Sequence, residues 1–128
     1  SIPEKNILII EDNDLAAFAL DNMIKEFKHK TAIASTASQA LIKLKNNSYD
    51  LIFLDQDLPD ANGIDLITDI RKITGSDDLP IIILSGHIGR TLQAKLKNIS
   101  CQGLFVKPMQ VEHLVKILNK YLVESVVV

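Results

Sequence analysis

Along this chain, short runs of uninterrupted apolar residues take turns with stretches whose apolar positions recur at helical spacing. The runs are ILII (Ile7–Ile10), TAIA (Thr31–Ala34), LIFL (Leu51–Leu54), IIIL (Ile81–Leu84) and LFV (Leu104–Val106). All but TAIA are apolar at every position. Strands covered on both faces need that composition, whereas a sheet with one wet face would alternate apolar and polar residues. Between the runs, Leu20, Met23, Ile24 and Phe27 fall on one face of a helix, as do Ala37, Ala40, Leu41 and Leu44. Gly63, Leu66, Ile67 and Ile70 repeat the stripe, and Val111, Leu114, Val115 and Leu118 repeat it again. Leu92, Leu96 and Ile99 make a sparser fourth helix. Thr36 with Gln39 reads as a capping box at the start of the second helix, and one of Asp12, Asn13 and Asp14 is expected to cap the first. Pro59, Pro80 and Pro108 fall at junctions, where a missing N–H costs little. The pattern predicts an α/β fold of (βα)5 type, a parallel sheet between helical layers with right-handed crossovers.

Length and charge narrow the picture without changing it. A chain of 128 residues suits one domain with one core. The net charge is -2 and lysines are scattered rather than clustered, so direct nucleic-acid binding, which needs many phosphate contacts, is not expected. Cys101 is the single cysteine and can form no internal disulfide; it reads as a small buried hydrophobe. No leader or long apolar span stands out in the sequence, so no membrane contact and a cytoplasmic setting are expected. The periodic pattern occupies residues 5–122, leaving 1–4 and 123–128 as terminal or linker segments. The apolar tail Ser125–Val128 reads equally as a frayed end, a linker or a contact surface.

The polar residues carry the chemistry by where they fall. Glu11 and Asp12 follow the first strand, Asp55 the third, Ser85 the fourth and Lys107 the fifth. In an open parallel sheet these ends share one edge, and ligands bind in the crevice where strand order reverses. A flavodoxin-like order 2-1-3-4-5 sets the first and third strands side by side there, which would gather Glu11, Asp12 and Asp55. Carboxylates about 5 Å apart repel by roughly 3 kcal/mol per pair at an effective dielectric near 20. One lysine is too little to offset three of them. A hard divalent cation supplies the remainder, and Mg2+ (or Mn2+) suits a site with few carboxylates and a phosphoryl group to share. Asp55, at the end of a rigid strand, is then the nucleophile that becomes an aspartyl phosphate. Glu11 and Asp12 hold the metal, with the main-chain carbonyl of Asp57 as a further ligand. Lys107 and the Ser85 hydroxyl contact phosphoryl oxygens. Taken singly, each residue has a plainer reading. Asp57, Asp60 and Asn62 suit a turn, Gly63 relieves strain where the third helix begins, Ser85 opens a loop, and Lys107 is a surface lysine. Their joint position at the strand ends is what favours a site.

The motifs EDN, DLIFLDQDLPDANGIDL, IIILSG and FVKP, taken together, resemble the receiver domain of two-component response regulators and hybrid sensor kinases. The resemblance runs from Lys5 to about Leu122. It implies that the acidic pair binds Mg2+ and that Asp55 accepts a phosphoryl group from a phosphohistidine. It implies also that Ser85 and Lys107 respond to that group and that the Lys107–Pro108 bond is cis. The donor would be a histidine kinase or a histidine phosphotransfer protein, and the domain would assist its own phosphorylation and dephosphorylation. The parent chain could itself be a hybrid kinase. Three departures stand out. The family's aromatic switch position falls on Leu104, with Phe105 one place later; Gly86 replaces the common alanine; and His87 and Asp57 border the path of attacking water, where they would tune phosphoryl lifetime. His29 and His113 read as helix-edge residues.

Two rival readings remain. DQDLP also fits the paired aspartates of haloacid-dehalogenase-like phosphatases, with Asp55 as nucleophile and Asp57 as acid/base. Such enzymes normally carry that motif on their first strand, not their third. A docking module without phosphorylation is the other rival, and the retained Glu11, Asp12, Asp55, Ser85 and Lys107 argue against it. If phosphorylation occurs, the weakly anchored segment Gly86–Ile99 is expected to respond. The output face would then comprise the fourth helix, fifth strand and fifth helix, widened by Ile117 and Tyr121 and able to support a transient dimer.

Overall fold

The computed structural model describes residues 3–123. Five strands and five helices alternate strictly: β1 (Asn6–Ile10), α1 (Asp14–Glu26), β2 (Lys30–Ala34), α2 (Ala37–Asn46), β3 (Leu51–Asp55), α3 (Gly63–Thr74), β4 (Ile81–Ser85), α4 (Arg90–Leu96), β5 (Gly103–Val106) and α5 (Val111–Leu122). All neighbouring strands pair in parallel, in the order β2-β1-β3-β4-β5. Residues 1, 2 and 124–128, and with them the tail's reading, lie outside the described residues.

The apolar runs are the strands because each side of the sheet is covered. Ile7, Ile9, Leu51, Phe53, Ile82 and Leu84 meet Leu20 and Ile24 of α1 and Leu114, Ile117 and Leu118 of α5. On the other face, Leu8, Ile10, Ile52, Leu54, Ile81 and Ile83 meet Ala40 and Leu44 of α2 and Leu66, Ile67 and Ile70 of α3. β3 and β4 are buried at every position, whereas the edge strands β2 and β5 are only partly covered. The exception noted in TAIA thus marks an edge.

Several helix details differ from the sequence pattern. Phe27 is the C-cap of α1 and partly exposed, and Ala17 takes its place in the buried stripe. Val111 is exposed at the start of α5, while Ile117 is buried in the core. Ile117 therefore does not widen an outer face. Tyr121 packs against the same core, and its hydroxyl donates to the Gln102 carbonyl at 3.0 Å. Asn13 caps α1 by accepting the Ala16 N–H at 2.9 Å, which leaves Asp12 clear of that duty. The capping box is displaced by one residue: Thr36 accepts from Gln39 N–H, but Gln39 Oε1 accepts from Ser35 N–H at 2.9 Å.

α4 is different in kind from its neighbours. It contains no buried residue and its N-cap, Gly89, makes no side-chain hydrogen bond. Leu96 and Ile99 only lean on the core. Its far end is better held, because Arg71 of α3 donates to the carbonyls of Leu79 at 2.6 Å and Ser100 at 2.7 Å and to Gln102 Oε1 at 3.1 Å. The helix is thus anchored at one end, and low-stability segments of this kind are where conformational change is drawn from.

Gly63 has a steric purpose rather than a strain-relieving one. A Cβ there would stand 3.1 Å from the Asp55 carbonyl oxygen and 3.2 Å from Gln56 Cα, both backbone atoms of the strand end. Gly63→Ala should destabilise the fold by about 1–3 kcal/mol through overpacking, read as a lower urea midpoint at unchanged slope. His29 is buried, not at a helix edge; its Nδ1 accepts the Lys5 N–H at 3.1 Å and its Nε2 has no partner. Burial lowers its pKa, against the pull of Glu4 and Asp50. The unfolded chain therefore takes up this proton first, so stability is fully present above pH 6.5 and falls as pH drops from there toward the lowered folded value. His29→Gln should flatten that part of a denaturation-versus-pH curve.

Candidate functional site

Sheet register assembles the site before any side chain is considered. Ile10 lies opposite Leu54, so Glu11 comes level with Asp55 at the adjacent ends of β1 and β3. Asp55 is opposite Leu84, and Ser85 is opposite Val106, one residue before Lys107. Asp55 and Ser85 are the last residues of their strands rather than the first of the following loops. The Ala34 carbonyl accepts from Glu11 N–H at 2.9 Å, and the Ser85 carbonyl accepts from Lys107 N–H at 2.8 Å. Backbone ladders thus hold the predicted site residues at one rim.

One oxygen from each of Glu11, Asp12 and Asp55 lies within 4.8 Å of the others. Asp12 is exposed, whereas Glu11 and Asp55 are only 6% and 3% exposed. The Lys107 ammonium bridges the two buried carboxylates, 2.6 Å from Glu11 Oε1 and 3.0 Å from Asp55 Oδ1. Burial first and Glu11 second hold the Asp55 carboxyl above the ordinary carboxylate pKa, against Lys107 and the Asp57 N–H. Burial alone would lower the Lys107 pKa, but its pairing with Glu11 and Asp55 outweighs that and raises it. The pocket is consequently short of positive charge. Glu11 Oε2 is buried without a hydrogen-bond partner, an orphan that a cation would satisfy. The donors are all oxygens, the set that suits a hard divalent ion.

The loop between β3 and α3 completes the rim. Asp57 N–H donates to Asp55 Oδ1 at 3.1 Å. Leu58 N–H binds the Ala61 carbonyl and Gly63 N–H the Gln56 carbonyl, closing a small bridge across Asp57 and Asn62. The Asp57 carbonyl takes no part in these bonds among the described residues. Asn62 is the N-cap of α3. Asp60, read from sequence as a turn former, instead accepts from Ala37 N–H at 2.8 Å and Ser38 N–H at 3.1 Å at the start of α2. No local signal announces this contact, because the partners are 23 residues apart.

Not every predicted residue joins the cluster. The Ser85 hydroxyl donates to the His87 carbonyl at 2.7 Å and is occupied with its own loop. His87 is exposed. Leu104 packs on the face shared with Leu96 and Cys101, while Phe105 packs on the opposite face, 5.2 Å from the His113 ring. The alternation expected of these two residues is therefore present. A cleft of about 630 Å³ opens beside the pocket, between Asp57 and the segment carrying Ser85, His87, Arg90 and Lys95. An apolar cavity of about 110 Å³, lined by Phe53, Leu84 and Met109, lies against Glu11, Asp55 and Lys107. The Lys107–Pro108 bond is cis, and no helix among the described residues is long and apolar enough to cross a membrane.

A doubly wound parallel sheet with an acidic, lysine-bridged pocket at its switch point defines the class of α/β domains that carry one charged site at their strand ends. Within that class the chain belongs to the response regulator receiver domain family, whose model matches residues 7–119. It is a receiver domain of two-component signal transduction. Among curated relatives, it is 28% identical over 121 residues to the aerobic respiration control sensor protein ArcB of Escherichia coli K12, covering 94% of this chain but 15% of ArcB. A two-component response regulator from Clostridium difficile superposes with a TM-score of 0.85 at 26% identity, covering 93% of this chain and 96% of that one. The receiver domain of sensor histidine kinase PA1611 from Pseudomonas aeruginosa, solved with magnesium coordinated in its active-site cleft, has the same fold, with a TM-score of 0.84 at 22% identity over 94% of this chain and 98% of its own.

Charge crowding makes the site testable without any ligand. Asp55→Asn removes one buried anion whose ionised form the fold disfavours, so it should raise the urea midpoint at neutral pH in metal-free buffer. Lys107→Met strands Glu11 and Asp55 without their cation and should cost about 3 kcal/mol, the low end for a broken buried pair.

Proposed function

We propose that Asp55 is the phosphoacceptor of a receiver unit spanning residues 5–122. The observation that carries this reading is the trio of carboxylates within 4.8 Å, one with a buried orphan oxygen, set against a single lysine that bridges only Glu11 and Asp55. Glu11, Asp12 and Asp55, with the free Asp57 carbonyl, would hold Mg2+; nothing in this donor set singles out Mn2+. When bound, that ion supplies positive charge against the phosphoryl oxygens.

Asp55 Oδ attacks the phosphorus of a phosphohistidine on a histidine kinase or histidine phosphotransfer protein. The O–P bond forms as the N–P bond breaks, and the departing imidazole takes up a proton. Lys107 shifts its ammonium from the Asp55 carboxylate to a phosphoryl oxygen. The Ser85 hydroxyl leaves the His87 carbonyl to donate to another, and this exchange loosens the loop that leads into α4. Phosphorylation replaces the single charge of the Asp55 carboxylate with about two on the acyl phosphate, a net gain of about one negative charge at a rim already short of cations, and α4, without buried residues, is the element that responds. Leu104 packs where the family has an aromatic switch, so ring reorientation is muted here. His87 and Asp57, one on each wall of the cleft beside Asp55, tune the lifetime of the acyl phosphate. The face of α4, β5 and α5 carries the output, as a transient dimer, and a phosphohistidine donor implies a cytoplasmic setting.

The phosphatase reading of Asp55 and Asp57 has no support in this fold, whose described residues form one (βα)5 unit without an inserted cap. A small phosphodonor with Mg2+ should add the mass of one phosphoryl group to the intact protein, and Asp55→Asn should abolish the addition. No addition with any donor would leave docking without phosphorylation as the function.

A further inference from the structure

The β3–α3 loop is held at both ends by close contacts with the strand end. At its start, Asp57 N–H is tied to Asp55 Oδ1; at its end, Gly63 packs so closely on the strand that a Cβ would stand 3.1 Å from the Asp55 carbonyl oxygen. Between these points the bond from Leu58 N–H to the Ala61 carbonyl, at 3.2 Å, closes only the loop's own turn. Leu58 and Ala61 of the tip lean on the core, and its polar tie to the rest of the molecule is Asp60. Its Oδ1 accepts from Ala37 N–H at 2.8 Å, and its Oδ2 accepts from Ser38 N–H and Ser38 Oγ, both at 3.1 Å.

α2 does not need Asp60 for an ordinary cap, since Thr36 already accepts the Gln39 N–H. Asp60 takes the two earlier donors that Thr36 leaves free, at the positive end of the helix dipole, where a carboxylate is favoured. Those backbone bonds hold its pKa below the ordinary carboxylate value, so it accepts as an anion at neutral pH. α2 begins three residues after Ala34, whose carbonyl binds Glu11 N–H at 2.9 Å. Asp60 therefore ties the loop carrying Asp57 to the β2–α2 junction, which is paired through Ala34 with Glu11. Sheet register sets Glu11 beside Asp55, and Asp60 braces the loop that carries the Asp57 carbonyl against that frame.

We infer that Asp60 is a positioning residue for the cation site: by binding the first turn of α2 it holds the Asp57 carbonyl at the distance from Glu11, Asp12 and Asp55 that a shared ion needs. The inference rests on the Mg2+ reading above, but the holding of the loop is observable without metal. In Asp60→Ala, amide exchange at residues 57–61 of the metal-free protein should accelerate, while exchange in β3 should not. Mg2+ affinity, titrated calorimetrically, should fall by about tenfold, the lower end for loss of a group that orients metal ligands. Thr36→Ala, which removes the helix's own cap, is the control: it should lower thermal stability without changing Mg2+ affinity. Unchanged loop exchange in Asp60→Ala overturns the inference. So does a Mg2+ affinity within twofold of wild type, whatever happens to stability. If the wild-type protein takes up no Mg2+, the cation site itself fails, and the metal-free exchange result still decides whether Asp60 holds the loop.

Discussion

One ammonium group set between two buried carboxylates is the interaction on which this molecule turns. Lys107 touches both Glu11 and Asp55, and neither anion could sit at a nearly dry strand end without it, because an unpaired buried charge costs several kcal/mol. Yet the pairing is incomplete: Glu11 keeps an unpartnered oxygen and Asp12 adds a third negative charge. The pocket therefore stays hungry for a small cation. An arrangement that fully satisfied these groups would be a structural salt bridge and nothing more.

Holding like charges together demands stiffness, and the fold concentrates it where the carboxylates are. β3 and β4 are buried throughout and sit between the partly exposed edges. Their ends move only if the core moves. Stiffness falls away with distance from that centre, down to α4, which has no buried residue and a free N-terminal end but is tied through Arg71 at the other. A charge added at the rigid rim would be felt by an element that is cheap to displace. The junction between the two is the Ser85 hydroxyl, presently spent on the His87 carbonyl.

The loops are less passive than their polar composition suggests. Asn13, Thr36 and Asn62 each cap the helix that follows them, as residues of their type do. Asp60 caps a helix that precedes it in the chain, and so joins two loops rather than ending one. Gly63 likewise serves the packing of strand against helix rather than the conformation of its own backbone. The rim is built from such crossed contacts as much as from the sheet.

The order of strands and helices, the parallel sheet, and the gathering of Glu11, Asp12, Asp55, Ser85 and Lys107 at one edge are legible along the chain. These depend on local periodicity and on which residue follows each apolar run, quantities written along the chain. That His29 is buried, that Ile117 belongs to the core, that Gln39 reaches Ser35 rather than Thr36, and that Asp60 binds α2 came from packing. Each of these depends on which surfaces meet across tens of residues or on a one-residue offset in a cap. Periodicity names a face, but only packing says what covers it and which donors it leaves for a carboxylate to claim.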